Sequence, residues 1–219
     1  MKKFLTILCA ALILGMAGNT LASPIVLDFE GIGNLNPIGD FYNGGAGTDY
    51  GVAFSSNALA IVDWDAGGTG NFGGEPSADT TMFFLGGSAA IMSVAAGFDT
   101  GFSFYYAGMA GGYVNVYDGI NGMGNILASL SIPETLNNWA GADPDGFFGP
   151  FEAIGVEFQG IAKSVAFGGN ADQIGFDNVT FGSATPGGDN APVPEPATII
   201  LLGSGLLGLG VRARKKFRK

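Results

Sequence analysis

The chain has no histidine, a single cysteine and, across its middle, a single basic residue. Each absence removes a class of chemistry. Without histidine there is no Ser-His-Asp triad and no imidazole ligand for a metal. Cys9 lies in an N-terminal apolar run, so the remainder has no thiol nucleophile, no thiolate zinc site and no disulfide. Of nine Lys and Arg residues, Lys2 and Lys3 open the chain, and Arg212, Arg214, Lys215, Lys216, Arg218 and Lys219 close it. Only Lys163 stands between them. The stretch from Pro24 to Val193 therefore carries eighteen acidic residues against one lysine, a formal charge of −17 where the whole chain has −10. Binding a phosphate backbone needs several cations, which excludes nucleic acid as a partner. Carboxylates remain as the main catalytic or metal-binding groups, and their hard oxygens suit calcium better than zinc or copper.

What is present begins with an address. Met1 to Ala22 has two lysines, an apolar run from Phe4 to about Ala17, and Thr20-Leu21-Ala22 ahead of Ser23-Pro24. That is the pattern of a secretory signal peptide, with cleavage expected after Ala22. The alternative, an uncleaved membrane helix, needs ~20 apolar residues, and the run is shorter.

Residues 23–182 are rich in glycine and aromatics, with short apolar stretches separated by turn clusters and no long amphipathic helical period. Expected strands are Ile25–Glu30, Tyr50–Ser55, Ala58–Asp63, Thr81–Leu85, Ala89–Ala95, Gly101–Ala107, Gly112–Tyr117, Asn125–Ile132, Ile154–Gln159, Lys163–Gly168 and Gln173–Phe181. Period-two alternation is clear at Phe102, Phe104 and Tyr106, at Val114 and Val116, and at Ile126, Ala128, Leu130 and Ile132. It predicts one buried and one wet face per strand. The fold expected is all-β, an antiparallel sandwich of jelly-roll type. Roughly 160 residues bury ~68–70% of their surface, enough for a core without disulfides.

In the first strand Ile25, Leu27 and Phe29 alternate with Asp28 and Glu30. In the last, Ile174 and Phe176 share a phase from which Val179 and Phe181 have slipped by one, predicting a bulge at Asp177-Asn178. A closing strand with an Asp-Asn pair before Val resembles the final strand of jelly-roll domains related to carbohydrate-binding modules. The resemblance implies that the first and last strands are neighbours and that nearby carboxylates hold a structural calcium. Asp28, Glu30 and Asp177 are the candidate ligands, against the alternative that they are solvated strand residues. Asp63 and Asp65 flank Trp64 and would share one strand face. Asp143-Pro144-Asp145-Gly146 reads as a turn. Trp64, Trp139 and Tyr105 are candidates for stacking on sugar rings, although eighteen Phe residues mark most aromatics here as core material. No pair of acids is marked out as acid and nucleophile, so a non-catalytic glycan-binding or structural role is expected. The rival is a secreted, carboxylate-dependent glycan-active enzyme.

Residues 183–192 have the composition of a flexible tether. The run Val193-Pro194-Glu195-Pro196-Ala197-Thr198 follows, and each residue before a proline is forced toward extended backbone. Residues 197–211 are apolar or small, a helix of about 22 Å that only marginally spans a ~30 Å hydrocarbon layer. The basic tail, residues 212–219, belongs on the cytoplasmic side, with the domain outside. These three ordered parts resemble the PEP-CTERM sorting signal of exopolysaccharide-producing Gram-negative bacteria. The resemblance implies transient anchoring in the inner membrane and cutting by an exosortase near Pro194-Glu195-Pro196. Delivery to the cell surface or to an extracellular exopolysaccharide matrix would follow.

Overall fold

The computed structural model describes residues 23–135 and 146–188. Eleven strands form two antiparallel sheets. The first sheet runs β3 (Ala58–Val62), β4 (Thr80–Phe84), β11 (Ile174–Phe181), β6 (Gly101–Gly108) and β9 (Glu152–Glu157), with β1 (Ile25–Leu27) also paired to β11. The second runs β2 (Val52–Phe54), β5 (Ala89–Phe98), β10 (Ala162–Gly169), β7 (Gly112–Tyr117) and β8 (Ile126–Ile132). All eleven expected strands form, their ends moved by three residues or fewer.

The alternating apolar positions meet between the sheets. Phe167 on β10 stands at the centre, its ring 5.9, 6.0 and 5.0 Å from those of Phe102, Phe104 and Phe176 on the opposing sheet. All four are fully buried, as are Leu27, Met82, Phe84, Met92, Val114, Val116 and Val165. Each buried side chain of this size contributes ~1.5–3 kcal/mol through burial.

Sheet two follows the simple alternation, with Val114 and Val116 buried and Tyr113 exposed. Sheet one departs from it, because β4 is buried throughout and Ser103 and Ala107 are buried on the face of β6 that points away from the core. Loops and the chain after β11 cover that outer face. Residues 183–188, whose composition reads as a tether, lie on it. The Ser103 hydroxyl donates to the Ser183 carbonyl at 3.0 Å, and Gly187 N donates to Thr180 Oγ1 at 3.0 Å. Gly101 and Gly155 leave the trough that Ala184 occupies, since a Cβ at either position would collide with its backbone.

Two local features shape the β1–β11 edge. Strand β1 stops at Leu27 because Phe29 adopts a left-handed φ of 62°, and the register of β11 against β6 shifts between Asp177 and Thr180, with Asn178 at φ 46°. The expected bulge is therefore present, and it restores Val179 and Phe181 to the core. Among the described residues no helix is long and apolar enough to cross a membrane. The expected signal peptide, the helix 197–211, the basic tail and the turn at Asp143 and Asp145 lie outside the described residues.

Candidate functional site

Pairing of Ile25 with Phe181 and Leu27 with Val179 brings the end of β1 beside the bulge of β11. The turn at Phe29 then buries its ring, 6.3 Å from Tyr42 and 6.0 Å from Phe54, and sends Glu30 toward the segment before β4. Glu30 Oε1 accepts from Asp79 N and Thr80 N, both at 2.9 Å, and Oε2 accepts from the Thr80 hydroxyl at 2.9 Å. Three donors on one carboxylate fix its orientation.

Asp177 is fully buried. Its Oδ2 accepts from Ser77 N at 3.0 Å and Ser77 Oγ at 2.7 Å, and its Oδ1 accepts from Asn178 N at 2.6 Å. Burial outweighs these donors and, with the charge of Glu30 nearby, pushes its carboxyl up to about 7.

Ser77 Oγ is the point where the parts converge. It lies 2.7 Å from Asp177 Oδ2, 3.2 Å from the Asp28 carbonyl oxygen, 3.3 Å from Glu30 Oε1 and 3.4 Å from the Thr80 carbonyl oxygen. A hydroxyl has one proton to donate, so it cannot satisfy four acceptors at once.

Asp28 contributes differently from the other two acids. Its carboxylate is exposed, with Oδ1 accepting from Tyr42 Oη at 3.4 Å and Glu30 N at 3.3 Å, while its backbone carbonyl faces Ser77. Tyr42 Oη accepts from Phe29 N at 2.8 Å, and burial together with the charge of Asp28 raises its phenol far above the ordinary range. Among the described residues no three acidic side chains gather tightly enough to hold a metal by themselves. What the fold assembles is two carboxylates, two carbonyls and a hydroxyl.

The stacking candidates do not form one platform. Trp64 is 66% exposed in the turn after β3, whereas Tyr105 is half-buried on β6, in register with Asp177. Trp139 lies outside the described residues. Asp63 is buried and Asp65 exposed, because β3 ends at Val62 before either acid. Sequence reasoning missed Ser77 and Thr80. The one available signal was the run Ser77-Ala78-Asp79-Thr80, a cluster of small polar donors ahead of a strand.

Residues 192–215 match the PEP-CTERM protein-sorting motif. No curated protein matches the chain. Among solved structures, the chain is similar to a family 6 carbohydrate-binding module, with 14% identity and a TM-score of 0.39 over 72% of this chain and 92% of that one. It is similar to the K2 cleaved adhesin domain of Lys-gingipain, with 13% identity and a TM-score of 0.47 over 72% and 97% of the two chains. A third similar structure is CBM35 from Paenibacillus barcinonensis, with 15% identity and a TM-score of 0.34 over 61% and 93%.

Proposed function

We propose that this is an exported protein, sorted by an exosortase to the cell surface or matrix. In this reading its jelly-roll-type sandwich is braced by a structural calcium and binds glycan without catalysis. The motif at residues 192–215 carries the sorting reading. The prolines of Pro194-Glu195-Pro196 disfavour helix, and an extended backbone there would expose its peptide bonds to a membrane protease where a helix would hide them. The basic run from Arg212 to Lys219 keeps the C-terminus cytoplasmic until the cut.

The crowding around Ser77 supports calcium. Oxygens that ligate one calcium at ~2.3–2.6 Å lie roughly 3 Å from each other. The spacings of 2.7–3.4 Å around Ser77 Oγ are of that order. Glu30, Asp177, the carbonyls of Asp28 and Thr80 and the Ser77 hydroxyl would hold the ion. It would supply the positive charge that a stretch with one lysine lacks.

One observation supports glycan binding: the aromatic rings of Trp64 and Tyr113 stand exposed. A carboxyl near 7 would also suit a general acid, the requirement of the enzyme alternative. Yet Asp177 is fully buried with both oxygens engaged, which favours a bracing role.

Mass spectrometry of the mature C-terminus, with and without the host exosortase, tests the sorting reading. The expected result is a cut near Pro194-Glu195-Pro196 and a larger, membrane-bound form in the exosortase-deficient strain. An identical product in both strains overturns it. A glycan array tests the domain, and turnover of a polysaccharide that Asp177→Asn abolishes would instead establish the enzyme.

A further inference from the structure

The outer face of sheet one holds a recess that Asp28, Glu30 and Asp177 do not line. Thr81 on β4 and Gly175 on β11 lie at its floor, and the rings of Phe72, Phe83, Phe148 and Phe151 surround it. Two loop segments are tied together to bring those rings in. Gly73 N donates to the Phe148 carbonyl at 3.0 Å, Phe148 N donates to the Asn71 carbonyl at 2.9 Å, and Phe72 meets Phe151 edge to face at 6.1 Å. The space enclosed is about 50 Å³. That is several times the ~10–15 Å³ that one water requires.

Thr81 is fully buried against this space, and its Oγ1 is the one buried side-chain polar atom among the described residues with no hydrogen-bond partner. Leaving such an atom unpaired is costly, and valine would fill the same volume without that cost. A hydroxyl placed there is explained by a group that enters and uses it.

The lining defines the group. Aromatic walls call for apolar surface, and the size allows only a few non-hydrogen atoms. No charged side chain lies at the floor, so an ion would be buried without a partner. The hydroxyl offers one proton to an acceptor oxygen. A methyl group joined to a carbonyl meets every condition. At the mouth, Asn71 and the exposed Asp172 carboxylate are placed to hydrogen-bond hydroxyl groups of a sugar ring.

We infer that this recess binds the acetyl substituent of a neutral acetylated polysaccharide, an inference that rests on the glycan-binding reading and names its ligand class. The carbonyl accepts from Thr81 Oγ1, the methyl packs against the phenylalanine rings, and the sugar stays at the rim.

Calorimetric titration of the full-length chain in mild detergent tests it. The probes are O-acetylated xylo-oligosaccharides, the same oligosaccharides after alkaline deacetylation, and the tetramer of N-acetylglucosamine. Two variants are compared with the wild type. Thr81→Val removes the donor, and Gly175→Ala places a methyl 3.5 Å from Thr81 Oγ1 and 3.9 Å from Phe151 Cζ, filling the recess at a backbone angle alanine accepts.

The expected result is binding that requires acetyl groups, with the O-acetyl or N-acetyl arm identifying the linkage. Thr81→Val should weaken it about tenfold while leaving the melting temperature unchanged or raised, and Gly175→Ala should abolish the acetyl preference. Equal affinity for acetylated and deacetylated glycans, or unaltered binding by both variants, overturns this inference and leaves glycan binding standing. Failure to bind any glycan overturns both.

Discussion

Ser77 donates twice to one oxygen of Asp177, through its backbone N–H at 3.0 Å and its hydroxyl at 2.7 Å. The two residues are a hundred positions apart in the chain, so this clamp ties the loop before β4 to the bulge of β11. Donors of this kind favour the carboxylate, and burial favours the acid. Burial wins, and the carboxyl sits at about 7.

Stability without calcium should therefore decline as pH rises through the window set by Asp177. Below ~4 the group is protonated folded and unfolded, so its contribution is complete. Between ~4 and about 7 the folded protein retains a proton that the unfolded chain has released, and the contribution is lost, by at most ~4 kcal/mol. A bound calcium holds the carboxylate form and should flatten that decline. Thermal melts at pH 5 and pH 8, with calcium or with chelator, check both statements. Asp177→Asn should lack the slope and the response to calcium. Equal wild-type melting temperatures with calcium and with chelator at pH 8 would remove the calcium site.

Glu30 and Asp28 should behave unequally although both belong to the same acidic end of β1. Glu30→Gln sets an amide donor against the N–H groups of Asp79 and Thr80 and the Thr80 hydroxyl, and should cost about 1.5–3 kcal/mol in urea unfolding at neutral pH. Asp28→Asn alters an exposed carboxylate and should cost less than ~0.5 kcal/mol. Because Asp28 would meet calcium through its backbone carbonyl, Asp28→Asn should keep the calcium-dependent rise in melting temperature and Glu30→Gln should lose it. Loss of that rise in Asp28→Asn would place the carboxylate itself on the ion.

The strands were legible because period-two alternation is a local signal: Val114 and Val116, or Phe102, Phe104 and Tyr106, announce a buried face within six residues. The slip between Phe176 and Val179 announced the bulge by the same logic, and with it the neighbourhood of Asp177. The partners of the carboxylates were not legible. Glu30 is bound by Asp79 and Thr80, some fifty residues away, through backbone N–H groups that every residue has. Phe72, Phe148 and Phe151 sit in turn-rich stretches without a period, so nothing local distinguishes a pocket wall from a loop residue. The outer cover of sheet one was hidden for a related reason. The composition of residues 183–188 speaks for a tether, and the glycine trough that receives them appears only when Ser103 is put in register with Gly155.

Asn178 tests the bulge directly. Its φ of 46° lies in the left-handed region, which asparagine and glycine tolerate and β-branched residues do not. Asn178→Gly should change stability by only a few tenths of a kcal/mol, and Asn178→Val should cost about 1–2 kcal/mol. The N–H that binds Asp177 belongs to the backbone, so Asn178→Gly should retain the pH dependence described above. Chemical denaturation of both variants decides the matter. A valine as stable as the wild type would mean that the strand runs through this point without a bulge.

Gly155 tests the docking of the chain beyond β11. A methyl there would collide with the carbonyl oxygen of Ala184 and with the side chain of Ser103, so alanine can be accommodated only if the segment lifts from the sheet. Lifting it breaks the bonds from Ser103 Oγ to the Ser183 carbonyl and from Gly187 N to Thr180 Oγ1, and returns Gly101 and Ser103 to water. The expected loss is about 1–3 kcal/mol. Limited proteolysis supplies a readout that simple core damage would not imitate. Gly155→Ala should be nicked within residues 183–188 well before the sandwich is cut, whereas the wild type should resist there as its strands do. Equal resistance in both proteins would mean that the segment is not held by this face, and that its tether-like composition describes it after all.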